Sequence, residues 1–132
     1  MTKPNAGKDP ALCRCGSGKA YDVCCAIHHG GMPAPTAEAL MRSRYCAYVY
    51  GLRDYLLATW HPSTRPAMLE ADSAGLRWLG LEVRRSQLTG PNQGEVEFVA
   101  RSKLGGRAQR LHECSRFVHE DGQWWYVDGQ FE

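Results

Sequence analysis

The sequence predicts an α+β chain in which a small cysteine-held segment precedes two helices and a meander of four antiparallel strands. Three observations carry that expectation. Four of the six cysteines fall within residues 13–25. Between residues 36 and 60 apolar side chains recur at helical spacing, with Gly51 and Pro62 as stops. After Gly75 the period changes to two, punctuated by Gly90-Pro91-Asn92-Gln93-Gly94, Gly105-Gly106 and Asp121-Gly122.

The first element is the stretch Cys13-Arg14-Cys15-Gly16-Ser17-Gly18-Lys19-Ala20-Tyr21-Asp22-Val23-Cys24-Cys25. A loop of this size can bring four thiolates to one tetrahedral centre, as a closed structural zinc site requires. Gly16 and Gly18 accept positive φ, so the chain can turn after Cys15 and aim its amides at the sulfurs. Residues 19–23 suit one helical turn that presents Cys24 and Cys25. Thiolates favour zinc or an iron–sulfur cluster over magnesium or calcium, and the tight spacing suits a single zinc. Two other readings stand beside this one. His28 or His29 replaces Cys25 as fourth ligand, or the thiols form disulfides, of which a Cys24–Cys25 bridge would be strained.

Residues 30–35 are dense in Gly and Pro, and 32–35 read as a linker. Thr36 is an N-cap, Glu38 favours the helix dipole, and Met41, Tyr45, Tyr48 and Val49 mark a helical face that Arg42 and Arg44 avoid. A second helix over 53–60 carries Tyr55, Leu56 and Leu57. A turn follows at 61–66, then a short helix over 67–70. Strands are expected at 78–88, from 96, at 107–120 and at 123–128. In the third, Leu111, Glu113, Ser115 and Phe117 share one face, and His112, Cys114, Arg116 and Val118 the other. Cys46 and Cys114 read as small buried apolar residues.

Composition bounds the function. At 132 residues there is room for one modest core and an appendage. The net charge of +2 implies no general affinity for nucleic acid. Arg101, Lys103, Arg107, Arg110 and Arg116 form a basic strand region that reads as a solvated hairpin. No stretch approaches membrane-spanning length. Residues 1–12 read as a mobile polar tail with no apolar signal region, so a cytoplasmic location is expected.

The cysteine stretch resembles the SEC-C motif, the short zinc-binding segment named for the C-terminus of the SecA translocase. The Cys-x-Cys-Gly-Ser-Gly-Lys start and the Cys-Cys finish match position by position. The resemblance therefore carries the zinc role to Cys13, Cys15, Cys24 and Cys25. Helices followed by a four-stranded meander outline a nuclear-transport-factor-2-like cone, in which helices pack on a curved antiparallel sheet around a pocket. The stretches Ala39-Leu40-Met41-Arg42-Ser43-Arg44-Tyr45, Thr59-Trp60-His61-Pro62, Trp78-Leu79-Gly80-Leu81, Val96-Glu97-Phe98-Val99-Ala100, Ser115-Arg116-Phe117 and Trp124-Trp125-Tyr126-Val127-Asp128-Gly129 strengthen that outline. Together with the knuckle they resemble the YchJ-like family of uncharacterised bacterial proteins. The implied organisation is a tail and knuckle over 1–31, a linker over 32–35 and a cone over 36–132.

For a cone of this kind the candidate pocket residues are Tyr45, Tyr48, Tyr55, Trp60, His61, Trp78, Glu97, His112, Glu113, Arg116 and Trp125. His61 is the candidate acid or base, with Glu97 or Glu113 as partner, although a His-Pro pair also simply caps a helix. An inward Glu113 is expected to pair with Arg44. No nucleophile–base pair is recognised. The expected function is a binding or adaptor module, docking a protein or ribosomal partner through Arg14, Lys19, Tyr21, His28 and His29. The alternative is a small-molecule-binding or enzymatic cone with its pocket near His61.

Overall fold

In a computed structural model of the chain, residues 12–132 are described. The tail expected at 1–12 lies, apart from Leu12, outside them. A 3-10 turn at Tyr21–Val23 leads into α1 (Cys25–His29), α2 (Ala37–Tyr50) and α3 (Arg53–Ala58). Strands β1 (Arg77–Gly90), β2 (Gln93–Leu104), β3 (Arg107–Glu120) and β4 (Gln123–Phe131) follow.

Local chemistry explains the helix ends. The Thr36 hydroxyl accepts the Ala39 amide at 3.0 Å, satisfying one open donor of α2. At the other end Gly51 adopts φ 71°, the left-handed stop that a side chain resists. Helix α3 stops at Ala58, short of the expected Trp60, because β4 competes for the backbone. The Tyr126 amide donates to Thr59 O at 2.9 Å, and the His61 amide donates to Tyr126 O at 2.7 Å. The helix expected over 67–70 does not form. Four residues cannot offset helix nucleation without a packed face, and Met68 is 72% exposed.

The strands form one antiparallel sheet in the order β1-β2-β3-β4. Gly105 and Gly106 at the β2–β3 turn, and Asp121 and Gly122 at the β3–β4 turn, all have positive φ, as tight two-residue hairpins require. Register shifts put an extra residue into β1 near Trp78, Val83 and Leu88, and into β4 at Val127, opposite Arg116 and Phe117. Bulges of this kind bend a strand and raise its twist, so the sheet can wrap the helices.

Helix α2 lies in the centre. Leu40, Met41, Ser43, Arg44, Tyr45, Cys46 and Ala47 are all buried, which leaves only a narrow solvent face. Arg44 therefore points inward, contrary to the sequence reading. Cys13, Cys15 and Cys25 belong to the same apolar cluster as Leu40, Met41, Val96, Phe98, Phe117 and Trp124. The cysteine segment thus joins the core through its thiols. Leu40, Leu56 and Phe117 are almost wholly buried, each worth about 2 kcal/mol.

The tyrosines around α2 give this packing a pH signature. Burial pushes Tyr45 up from 10.0 to about 12, and raises Tyr48, Tyr55 and Tyr126. Folded-state values above unfolded ones mean that the native state keeps protons the unfolded chain has lost. Stability should therefore hold below pH 10 and fall as pH climbs from there toward 12. Urea midpoints measured across this range should drop, and Tyr45→Phe should reduce the drop. A flat midpoint would show that these phenols are not buried as described.

Candidate functional site

Two features are candidates: the cysteine cluster and a cavity on the opposite side of α2. At the cluster, the Cys13 amide donates to Lys19 O at 2.8 Å, closing the loop. Gly16 makes the turn with φ 81° and passes so close to β1 that a Cβ there would lie 3.2 Å from Leu81 O. The four sulfurs of Cys13, Cys15, Cys24 and Cys25 lie within 4.8 Å of one another. Metal–sulfur bonds of about 2.3 Å place tetrahedral sulfurs about 3.8 Å apart. The Cys15–Cys24 sulfur separation is 3.7 Å, so the donor set fits a four-coordinate thiophilic ion. Cys15 is the thiol whose ionisation its neighbours favour most. The neighbouring Cys25 thiol, then that of Cys46, favours its thiolate and holds its pKa below the usual thiol range.

Neither histidine belongs to this group. Tyr21 Oη donates to His29 Nδ1 at 2.7 Å, and His29 Nε2 donates to Ser43 O of α2 at 2.8 Å. His28 Nδ1 donates to Met32 O at 2.9 Å. Further bonds lock the cluster to the rest of the chain. Arg42 Nη1 donates to Cys15 O at 2.7 Å, and Arg14 Nη2 donates to Trp78 O at 2.9 Å. Sequence reasoning missed the closeness of Cys46. It is wholly buried on α2, and its sulfur is 3.5 Å from that of Cys13. Its distance along the chain from the motif gave no sign of this; only helix packing brings it there.

The cavity, about 640 Å³, lies between α2 and the inner face of the sheet. Arg44, Tyr45 and Tyr48 line it from α2, Trp78 from β1, Phe98 from β2, and Glu113 and Phe117 from β3. Tyr45 and Trp78 meet edge to face at 5.7 Å. Arg44 Nη1 donates to Leu56 O and to Thr59 Oγ1, both at 2.7 Å. Its guanidinium carbon lies 4.4 Å from the centre of the Tyr126 ring and 5.1 Å from that of Trp60. Burial lowers its pKa from the usual arginine value.

Of the expected pocket residues, Tyr45, Tyr48, Trp78 and Glu113 line this space; Trp60, His61, Glu97 and Arg116 do not. Strand alternation explains two of these corrections. Phe98, Ser115 and Phe117 face inward, so Glu97 and Arg116 face outward. Glu97 accepts from His112 Nε2 at 2.7 Å and from Arg85 at 3.3 Å, while Arg116 makes two 2.6 Å bonds to Asp128. His112 shares the outer face. His61 sits beyond α3 with Glu120 at 2.9 Å and Ser63 at 2.7 Å, held there by the backbone bridge to Tyr126. Trp60 packs edge-on against Tyr126 instead of lining the cavity. Tyr55 bonds to Ser43 at 2.7 Å, and Trp125 donates to Glu120 O at 3.0 Å. The expected Arg44–Glu113 ion pair is absent among the described residues.

Comparison with known proteins follows this geometry closely. The family model for the middle, NTF2-like domain of YchJ matches residues 36–129. The chain belongs to the UPF0225, YchJ-like family. It is 61% identical over 130 residues to a UPF0225 protein of Methylibium petroleiphilum, covering 98% of this chain and 95% of that one. A UPF0225 protein of Bordetella parapertussis is 52% identical over 132 residues, covering 98% of each. The solution structure of a SEC-C motif containing protein from Rhodopseudomonas palustris superposes with a TM-score of 0.79 at 38% identity, covering 89% of this chain and 96% of that one. A crystal structure of a SEC-C motif containing protein from Psychrobacter arcticus gives 0.77 at 27% identity, covering 94% of this chain and 83% of that one. The UPF0225 chain therefore combines a SEC-C cysteine cluster able to hold a metal with an NTF2-like α+β domain.

Because the thiols share a core with α2, removing an ion held by the cluster should reach beyond the knuckle. A strong chelator should lower the melting temperature of this UPF0225 protein by more than about 10 °C. Cys25→Ser should weaken metal retention, while Cys46→Ser should keep one ion per chain by elemental analysis. A chelated protein that melts as the loaded one does would show that the cluster carries no load.

Proposed function

We propose that this UPF0225 protein is a cytoplasmic small-molecule-binding protein whose knuckle holds a structural zinc ion through Cys13, Cys15, Cys24 and Cys25. The observation that carries this reading is the aromatic-walled cavity of about 640 Å³ with Arg44 buried in its lining. Ligand sites of this class are concave and mostly apolar, with a few polar groups that orient the guest. When bound, the ion would cross-link the loop and leave no open coordination position for chemistry. The chain's own residues would do the rest. Arg14 and His29 tie the knuckle to Trp78 and Ser43, and Arg42 of α2 reaches back to Cys15, which fixes α2 above the sheet.

Docking through the knuckle is the second reading, and one observation favours it. Val23, Ile27 and Met32 are 61%, 41% and 60% exposed on that side, an apolar group suited to a protein partner. The polar residues first expected to dock have less to offer. Arg14 and His29 are bonded internally, and so is Tyr21.

The test is native mass spectrometry of the protein taken rapidly from cells. Small-molecule adducts should accompany the wild type and disappear from Ser102→Phe, a cavity-filling change that leaves the melting temperature within a few degrees. A ligand at a hundred times its Kd adds about 2.7 kcal/mol, so adding back the released compound should raise the melting point. If wild type carries no adduct while Val23→Glu with Ile27→Glu abolishes a stoichiometric protein complex, docking is the function.

A further inference from the structure

We propose that the cavity recognises a small aromatic zwitterion, with its carboxylate on Arg44 and its protonated amine on Glu113. This inference rests on the ligand-binding reading of the cone. It starts from an imbalance. Arg44 is 4% exposed, yet among the described residues no carboxylate pairs with it. A buried charge without a counter-ion is costly, and desolvation dominates the environment of this guanidinium. Its bonds to Leu56 O and Thr59 Oγ1 both use Nη1, and its other polar neighbour is the Tyr48 hydroxyl, which is no counter-ion. The faces of Tyr126 and Trp60 stabilise the cation and hold it in place, but they do not neutralise it. A carboxylate is the planar anion that two guanidinium N–H groups grip together.

The second observation comes from the sheet. Glu113 lines the same cavity from β3, and Ser115 Oγ donates to its Oε2 at 2.7 Å, orienting the carboxylate. A Cβ at Gly129 would run into that carboxylate, so the glycine on β4 gives it room to lie where it does. Opposite charges thus face one apolar space without meeting. A monoanion would satisfy Arg44 and meet Glu113 as a repulsion; a monocation would suffer the reverse. A zwitterion satisfies both, and the cavity would select against either half alone. Tyr45, Tyr48, Trp78 and Phe98 supply the walls for an aromatic ring. The volume suits a molecule of amino-acid size with some room left over.

The experiment uses the full metal-loaded chain and calorimetric titration with four probes: phenylalanine, 3-phenylpropionate, phenethylamine and neutral benzyl alcohol. Phenylalanine should bind tightest, and loss of either charge should weaken binding about tenfold or more. Arg44 also braces α3, so Arg44→Leu is liable to unfold, and Glu113→Gln carries the decision. That variant should lose its preference for phenylalanine over 3-phenylpropionate while keeping its melting temperature. If benzyl alcohol binds as well as phenylalanine, the zwitterion proposal is overturned while the cavity stands as a ligand site. If none of the four probes binds, the zwitterion proposal falls, while the ligand-binding reading stands or falls on the adducts seen by native mass spectrometry. An unchanged preference in Glu113→Gln would also contradict the role of that carboxylate.

Discussion

Everything in this chain depends on the packing of the cysteine cluster against α2. A helix buried on one stripe needs only a sheet beneath it. This one is buried nearly all round, so its second side needs a cover, and a knuckle with few apolar side chains provides it through Cys13, Cys15 and Cys25. Sulfur is polarisable and packs like a small hydrophobe when it is shielded from water. The cover is also polar where it must be. His29 donates to the Ser43 carbonyl of α2, and Arg42 reaches back to Cys15 O. Ser43 itself bonds to Leu40 O and Tyr55, so its hydroxyl is satisfied although buried.

The cavity is the other consequence of that placement. Met41, Arg44, Tyr45 and Tyr48 follow the i, i+3, i+4, i+7 spacing of one helix face, and all four line the cavity. Cys46 and Ser43 fall on the opposite side, toward the cluster. The knuckle and the cavity therefore share a wall without sharing atoms. Arg44 is the joint between α2, α3 and β4, since it bonds to Leu56 and Thr59 and lies over Tyr126. The outer face of the sheet is a separate world of exposed pairs, such as Arg116 with Asp128, that contribute little to stability.

How far the sequence could be read follows from the range of each signal. The cysteine cluster was legible because ligand spacing is local, and the hairpins because Gly-Gly and Asp-Gly dictate their own backbone. Tyr45 and Tyr48 were found from helical period, and Glu113 from strand alternation. The same alternation would have excluded Glu97, which sits between inward Val96 and Phe98. His61 and Trp60 misled because the chain leaves α3 earlier than Pro62 suggests, captured by a backbone bridge to Tyr126 that has no local trace. Arg44 was the hardest residue to read. A charge on a helix is ordinarily solvated, and only the enclosure of α2 from both sides turns this one inward. Cys46 was hidden in the same way, by a contact that exists only after folding.

The central claim is that a metal-held knuckle fixes the helix over the sheet and so belongs to the core it covers. Native-state hydrogen exchange of the loaded and chelated protein, resolved by residue, tests it most directly. The account predicts that removing the metal lowers protection in α2 over residues 40–47 along with the knuckle amides, while the β2–β3 ladder is the last to weaken. Loss of protection confined to residues 12–31, with α2 unchanged, would contradict it.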